Sequence, residues 1–242
     1  MTTAYASSSF SYADGSTELE AFVAYPSSPG ASPVPVVLVA HAWAGQDAFA
    51  RAQAERLASL GYIGMALDVY GKGRRGSNND ENSALMTPWM KDRAALRTRL
   101  LAAVTAARAL NGADPTRVGV IGFCFGGLCA LDLARANAPG LKAAVAFHGL
   151  FFPPHLGEQA PIEARILALH GYDDPLAKPE LMVSFMNELT AAQADWQVHA
   201  YGGTRHAFTN PEANDAGNGL VFRQQSASRA FQAMENFLRE AL

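Results

Sequence analysis

The sequence has little cysteine, no long apolar run and no marked excess of charge of either sign. Its 242 residues include two cysteines, and 22 acidic residues stand against 19 basic ones, giving a net charge of −3. This balance gives no electrostatic reason to expect nucleic acid or an acidic membrane as a partner. No stretch reaches the length that a bilayer-spanning helix needs. The first residues also lack the cationic start and apolar run of a secretory signal, so we expect a cytoplasmic protein.

The two cysteines are not expected to form a disulfide. Cys124 and Cys129 lie five residues apart on one predicted turn and helix, where their side chains point in different directions. A reducing compartment is the natural interpretation. We expect Cys129 to be a small buried residue of the core.

The remaining composition is that of a packed α/β protein. Hydrophobic residues make up 49% of the chain and charged residues 17%. We find no internal repeat, low-complexity tract or linker, and predict a single domain over residues 1–242. Apolar strand patterns alternate with helical patterns, which predicts an α/β fold with a doubly wound, mostly parallel sheet and helices on both faces.

The predicted elements follow from apolar periodicity and from glycine and proline stops. The predicted strands are residues 10–13, 19–25, 36–40, 62–67, 117–121, 142–147, 165–169 and 196–200. The predicted helices are 47–60, 83–110 with a break near Pro88, 128–137, 179–192 and 220–242. The predicted loops are 26–35, 151–160 and 71–81, the last being the most obvious flexible segment.

Residues 122–126, Gly-Phe-Cys-Phe-Gly, join a predicted strand to a predicted helix. This is the pattern of the nucleophile elbow, with cysteine in place of serine, and its glycines allow strand and helix to cross closely. The helix aims backbone N–H groups at Cys124, which favours a thiolate and can stabilise an oxyanion. Alone, the pattern also fits a glycine-tolerant strand end with an inert, buried cysteine.

Two later segments favour the catalytic interpretation. Asp174 follows the strand 165–169, and His206 follows the strand 196–200 in a glycine loop. The chain order is therefore nucleophile, acid, histidine, as in α/β-hydrolases. Asp173 is an alternative acid, but we prefer Asp174, which stands three residues after Gly171 and just before a proline. All three groups follow strands, whose carboxyl ends form sites in such sheets.

The other parts of a site can also be assigned. The N–H of Phe125 and that of Trp43, in the loop after the strand 36–40, are the expected oxyanion donors. His41, in the same loop, is expected to hold the loop in place. Trp43, Phe123 and Trp89 either line an apolar acyl pocket or belong to the core.

We predict no metal and no cofactor. Four histidines lie near acidic residues, but none shows a clustered ligand spacing. They are His148, His155, His170 and His199.

These motifs together resemble the dienelactone hydrolase family over nearly the whole chain, and the cysteine elbow is the most specific match. The matching segments are residues 14–15, 19–26, 36–45, 60–62, 67–70, 118–127, 170–179 and 202–208. The resemblance implies a monomeric or weakly dimeric α/β-hydrolase that cleaves small esters or lactones through an acyl-cysteine. It places Cys124, Asp174 and His206 on the family triad, and Phe125 and Trp43 on its oxyanion donors.

The sequence departs from the family at two places. The characterised dienelactone enzymes carry a glutamate at the position of Ala42, which takes part in activating the thiol. They also hold the substrate carboxylate with arginines, of which one position corresponds to Asn210 and the other falls in 86–90, which has none. Arg205 is one candidate to replace them, as are Arg74, Arg75 and Arg93. A neutral or differently charged ester, thioester or lactone is therefore the expected substrate.

Two alternatives to simple hydrolysis stay open at this level. An acyl-cysteine can be intercepted by an alcohol or thiol, which describes an acyltransferase. The same triad could also hydrolyse a thioester, which describes a thioesterase. A protein that retained the fold without turnover would instead bind a ligand or sense oxidants through a reactive cysteine.

Overall fold

The computed structural model of the chain describes residues 6–27 and 32–242, so part of the predicted loop 26–35 lies outside the described residues. Eight strands form one sheet. They are β1 (Ala6–Asp14), β2 (Thr17–Tyr25), β3 (Val34–Ala40), β4 (Ile63–Ala66), β5 (Ala113–Phe123), β6 (Leu141–Phe147), β7 (Arg165–Gly171) and β8 (Trp196–Tyr201). Two further short strands, β9 (Asn214–Asp215) and β10 (Leu220–Val221), pair with each other.

The sheet has the order β1-β2-β4-β3-β5-β6-β7-β8. Only β1 and β2 run antiparallel to their neighbours, and every pair from β4 to β8 is parallel. The predicted mostly parallel, doubly wound sheet is confirmed. Because five adjacent strands from β3 to β8 end at the same edge, the loops that follow them meet there.

The central strands are apolar throughout because both of their faces are covered. In β3, Val36 and Leu38 face one buried cluster, whereas Val37 and Val39 face the other. This alternation is the two-residue period of a strand. Each strand therefore contributes to two separate cores.

Six helices cover the two faces. They are α1 (Ala48–Ser59), α2 (Asn79–Lys91), α3 (Arg93–Arg108), α4 (Phe125–Arg135), α5 (Pro179–Ala191) and α6 (Gln224–Ala241). Helices α3, α4 and α5 bury their apolar residues in one cluster, and α1 and α6 bury theirs in the other. None of the helices among the described residues is long and apolar enough to cross a membrane.

Local signals placed several element ends correctly. The predicted hairpin forms from β1 and β2, with Gly15 in its turn at a φ of 57°. Asp47 caps α1 by accepting a hydrogen bond of 2.9 Å from the N–H of Ala50. The chain leaves α1 at Gly61, whose φ of 95° suits glycine.

The predicted helix 83–110 with a break near Pro88 is wrong in two respects. Pro88 lies inside α2, and the chain breaks instead at Asp92, which ends α2 and caps α3 through Ala95 N. A proline disturbs only the turn before it, whereas a capping carboxylate satisfies the free N–H groups of a new helix. The helix also begins earlier than predicted, at Asn79, because Asn78 caps it.

Two other predicted bounds need correction. The final helix begins at Gln224 rather than at 220, because residues 220–221 pair as β10 with β9. Helix α4 begins at Phe125, so the predicted segment 128–137 continues it as expected, but the helix ends at Arg135 rather than at 137.

The segment 71–81 is tied to the core, in contrast to the flexible loop that its composition predicts. Arg75 donates to the backbone and side-chain oxygens of Gln46, a buried residue. The N–H of Gly76 donates to Ala44 O at 3.0 Å. These bonds hold the segment beside the loop that follows β3.

Candidate active site

Cys124 stands at the turn between β5 and α4, in a backbone conformation that few residues adopt. Its φ is 57° and its ψ is −116°. This strain at a non-glycine residue is the kind that concentrates at functional sites. Cys124 is half-buried, whereas Cys129 in the following helix turn is fully buried, as expected.

Glycines make this sharp turn possible because the backbone crosses itself at very short range. A Cβ on Gly122 would lie 1.9 Å from Gly126 O, and one on Gly126 would lie 2.0 Å from Ala40 O. Both distances are far below van der Waals contact. The elbow therefore needs glycine at both positions for helix α4 to approach β3 and β5.

Two backbone amides are free near the nucleophile position. The N–H of Phe125 is the first of α4, and no side chain caps this helix. Within the described part of the chain, neither this amide nor that of Trp43 donates a hydrogen bond to another residue. The dipole of α4 adds positive potential at the same end of the helix.

The loop that carries Trp43 is held by His41 and Tyr70. The His41 Nδ1 atom donates to Ala42 O at 2.7 Å, and its Nε2 atom accepts from Val69 N at 3.2 Å. Tyr70 donates its hydroxyl to Trp43 O at 2.9 Å. Burial lowers the pKa of His41, which keeps it in the neutral form that these two bonds require. His41 thus has the supporting position that was expected of it.

Asp174 and His206 form a buried pair. Asp174 Oδ2 lies 2.7 Å from His206 Nδ1, and Asp174 Oδ1 accepts from Leu176 N at 2.8 Å. Both side chains are almost fully buried. Asp173, the alternative acid, is exposed, and its backbone N–H donates to Thr204 O at 3.0 Å.

The environment of His206 favours its charged form. Burial works to lower its pKa, but Cys124, acting as a negative charge and hydrogen-bond partner, and Asp174 together raise it to about 10. Among the described residues, no atom forms a hydrogen bond with the buried Nε2 atom of His206. It is therefore free to engage Cys124 or a substrate.

Cys124 and His206 open into one cavity of about 560 Å³. Its walls come from five parts of the chain: the segment from the loop after β3 to the start of α1, the first turns of α2, the ends of β5 and β6, the loop after β7, and residues 206–220. The lining side chains include Trp43, Asp47, Phe49, Met86, Phe123, His148, Leu150, Leu176, Asn210, Glu212 and Asp215. A cavity of this size and shape accommodates a small organic molecule.

The structure brings some of the expected substrate-binding residues to the cavity and excludes others. Trp43, Phe123 and Asn210 line it. Trp89 does not, because it lies beyond the cavity on α2 and its ring packs under the guanidinium of Arg99 at 4.7 Å. Arg205 does not either, because its side chain is exposed and donates to Ala216 O at 3.1 Å.

The sequence interpretation missed His148 as a neighbour of the site. Its ring contacts that of His206 with centroids 5.0 Å apart, and its Nε2 atom lies 2.8 Å from Thr209 Oγ1. Burial, followed by the charge on His206, lowers its pKa well below the usual range, so it stays neutral. His148 directly follows β6, at the sheet edge where Cys124, Asp174 and His206 follow β5, β7 and β8. This position in the sequence is the signal that could have identified it as a residue near the site.

No group of three or more potential ligand side chains in residues 6–27 and 32–242 is arranged to hold a metal ion. His170, for example, is buried and has its Nε2 atom 2.7 Å from Ala177 O.

Known proteins resemble this chain in sequence and in fold. The profile of the dienelactone hydrolase family matches residues 19–242. A dienelactone hydrolase-like promiscuous phosphotriesterase, P91, from metagenomic libraries is 35% identical; the match covers 98% of this chain and 99% of that one, with a TM-score of 0.93. A second solved structure, named m3DLH, is 36% identical over 99% of both chains, with a TM-score of 0.92. A Yersinia pestis protein provisionally named carboxymethylenebutenolidase is 32% identical over 202 residues, which is 79% of this chain and 74% of that protein.

Proposed function

The chain belongs to the dienelactone hydrolase family and is an ester or lactone hydrolase, and from that premise we propose that it works through an acyl-cysteine formed on Cys124. The observation that carries this proposal is the buried Asp174–His206 pair, whose free imidazole nitrogen opens into the same cavity as Cys124. The three residues take the roles of nucleophile, general acid–base and orienting acid.

In the first half of the reaction, the Cys124 thiolate attacks the carbonyl carbon of the substrate. The developing oxyanion accepts hydrogen bonds from the N–H groups of Phe125 and Trp43. The pKa of about 10 keeps His206 protonated while the thiolate is beside it, so a proton is ready for the departing alcohol. Collapse of the intermediate releases the alcohol and leaves the acyl group on sulfur.

In the second half, His206 acts as a base. Acylation removes the negative charge of Cys124, which is the first of the influences that raise the pKa of His206. Burial then favours the neutral imidazole, which can take a proton from water as the water attacks the thioester. Asp174 keeps the ring oriented through its 2.7 Å bond to Nδ1 in both halves.

The test is the pre-steady-state time course with p-nitrophenyl acetate, run on the unmodified protein, Cys124→Ala and Cys124→Ser. We expect a burst of p-nitrophenol followed by steady turnover, with the burst lost in Cys124→Ala while its circular dichroism is unchanged. Turnover in Cys124→Ala equal to that of the unmodified protein would refute the proposal.

The same time course separates hydrolysis from its alternatives. A stoichiometric burst with no turnover until an alcohol or thiol is added would indicate acyl transfer. A burst without turnover under any acceptor, combined with reversible oxidation of Cys124 by peroxide, would indicate a sensor.

A second candidate activity is the hydrolysis of neutral phosphotriesters. It is favoured by the likeness to P91 over nearly the full length of both chains. None of the residues that line the cavity in the described part of the chain is a lysine or arginine, in keeping with a substrate without negative charge. Release of p-nitrophenol from paraoxon by the unmodified protein, and its loss in Cys124→Ala, would establish this activity on the same nucleophile.

A further inference from the structure

The cavity above Cys124 has an uneven charge distribution. Asp47, Glu212 and Asp215 line it, and none of the described residues that line it is a lysine or arginine. The one cationic group is His206, and the charges of Cys124 and Asp174 offset it. The cavity therefore presents a net negative potential to an entering molecule.

Two of these carboxylates are held by the protein itself. Asp47 caps α1, with its Oδ1 atom 2.9 Å from Ala50 N. Asp215 accepts 2.7 Å and 3.1 Å hydrogen bonds from the side chain and backbone of Asn218. The first of these bonds contributes most to lowering the pKa of Asp215. Both carboxylates are therefore held in place at the cavity wall by hydrogen bonds.

Among the described residues, none of these three carboxylates forms a salt bridge with an arginine or lysine. The guanidinium groups of three arginines in this region are instead hydrogen-bonded to backbone oxygens. Arg205 donates to Ala216 O, Arg75 to Gln46 O and Arg74 to Tyr70 O. A substrate carboxylate would thus meet three carboxylates that no salt bridge within the described residues neutralises.

Aromatic side chains complete a binding site for a positive group. Trp43 and Phe49 line the cavity on the same short segment as Asp47. Phe49 is held by an edge-to-face contact with Phe123, with the ring centroids 5.0 Å apart. Aromatic faces next to carboxylates are the surroundings in which proteins bind alkylammonium groups. The buried, unpartnered Nε2 atom of His206 at the base of the same cavity marks where the reacting ester would sit.

We propose that this cavity selects esters that carry an alkylammonium group, accepts neutral ones less well and disfavours those that carry a carboxylate. The inference rests on the proposed role of Cys124 as the reacting group. It separates this chain from relatives named for carboxymethylenebutenolide, a lactone whose name includes a carboxyl group.

The first experiment measures how fast Cys124 reacts with three methanethiosulfonates that differ in charge. The reagents carry a 2-trimethylammonioethyl, a methyl or a 2-sulfonatoethyl group. In each case the Cys124 thiolate forms a disulfide with the reagent sulfur, and methanesulfinate leaves. Each second-order rate is divided by the rate of the same reagent with 2-mercaptoethanol, which removes the intrinsic preference of a thiolate for cations. Cys129 is fully buried and serves as an internal control by mass spectrometry.

We expect the normalised rate to be about tenfold higher for the cationic reagent than for the neutral one, and lower still for the anionic one. The ratio should shrink as salt is raised, since added ions screen exposed carboxylates. Equal normalised rates, a faster anionic reagent or no reaction at Cys124 with any reagent would overturn the inference.

A triple variant tests whether the three carboxylates are the cause. Asp47→Asn, Glu212→Gln and Asp215→Asn together remove three negative charges, and asparagine at 47 keeps the helix cap. We expect the cationic preference to fall to near one. The matched control is Glu163→Gln, Asp195→Asn and Glu240→Gln, which changes the net charge equally at exposed positions beside the start of β7. A preference that survives in the first variant, or that falls equally in both, would refute the assignment to these residues.

Turnover of matched oxygen esters then connects the cavity to substrate choice. Acetylcholine, its neutral isostere 3,3-dimethylbutyl acetate and O-acetyl-3-hydroxypropionate are compared by titration of released acid. We expect kcat/KM to decrease in that order. Turnover of all three at equal rates would defeat the selectivity while leaving the acyl-cysteine proposal intact. Absence of any turnover, with the reagent selectivity retained, would defeat the proposed function instead.

Discussion

The imidazole rings of His148 and His206 meet edge to face, with centroids 5.0 Å apart and an angle of 65° between their planes. His148 itself has a φ of 38° and donates its N–H to Leu169 O at 2.8 Å. It therefore packs a neutral, immobile ring against the proposed general base. We interpret His148 as a positioning residue, which sets the orientation of His206 together with Asp174.

Replacing His148 should slow turnover without weakening substrate binding. In His148→Asn, which tolerates the positive φ, we expect kcat to fall about tenfold and KM to change little, because His206 loses one of its two orienting contacts. Steady-state kinetics measures both constants, and Thr209→Val, which removes only the hydroxyl partner of His148, should give a smaller loss. A change confined to KM would instead make His148 a substrate-binding residue.

The two adjacent aspartates should differ sharply in their effect. Asp174→Asn should lower kcat/KM by at least about a hundredfold, because the amide cannot hold the imidazolium and its tautomer as the carboxylate does. Asp173→Asn is the control, and a change of no more than about twofold is expected for this exposed residue. Equal losses in the two variants would show that the acid has been assigned wrongly.

The protonation of His206 should depend more on Cys124 than on Asp174. Cys124 is the larger of the two influences that raise the pKa of His206 to about 10. Its imidazole pKa, followed by nitrogen-15 NMR titration, should therefore fall in both variants, and further in Cys124→Ala than in Asp174→Asn. An unchanged pKa in Cys124→Ala would show that thiolate and imidazolium do not form a pair.

The same pKa fixes the direction of the pH dependence. His206 is protonated below about pH 10 in the free enzyme and loses its proton above that pH. Above it, the imidazolium can no longer donate a proton to the leaving alcohol. We expect kcat/KM for alkyl esters to decline on the alkaline side near that pH. A profile that is flat through this range would argue against His206 as the proton donor.

The elbow should not tolerate a side chain at its second glycine. Gly126→Ala places a Cβ 2.0 Å from Ala40 O, between two backbones that cannot move apart without shifting β3 or α4. We expect a loss of about 3 kcal/mol in the free energy of unfolding, measured by urea denaturation. Gly202→Ala is the control, since a Cβ there meets nothing within 4 Å, and its effect should stay within about 0.5 kcal/mol. Equal stability of the two variants would contradict the close crossing.

Most of the fold and the order of the proposed triad follow from the sequence alone, because the signals behind them are local. A short continuous apolar run identifies β3 whatever surrounds it, and the glycines around Cys124 mark a sharp turn through steric limits on one short segment. The places of Asp174 and His206 after strands follow from the same local patterns. The expectation that proline breaks a helix was wrong at Pro88, because another local feature, the N-cap residue Asp92, separates α2 from α3.

Only the tertiary structure decided what surrounds these groups. Trp89 is kept out of the cavity by the packing of α2 against α3, and Arg205 by its hydrogen bond to Ala216. The position of these residues in the sequence predicts neither contact. The contact of His148 with His206 joins loops 58 residues apart, after β6 and β8. The three carboxylates that line the cavity also come from distant segments: Asp47 precedes α1, whereas Glu212 and Asp215 lie in 207–220. Long-range convergence of this kind results from the packing of whole helices and loops, so no local pattern reveals it.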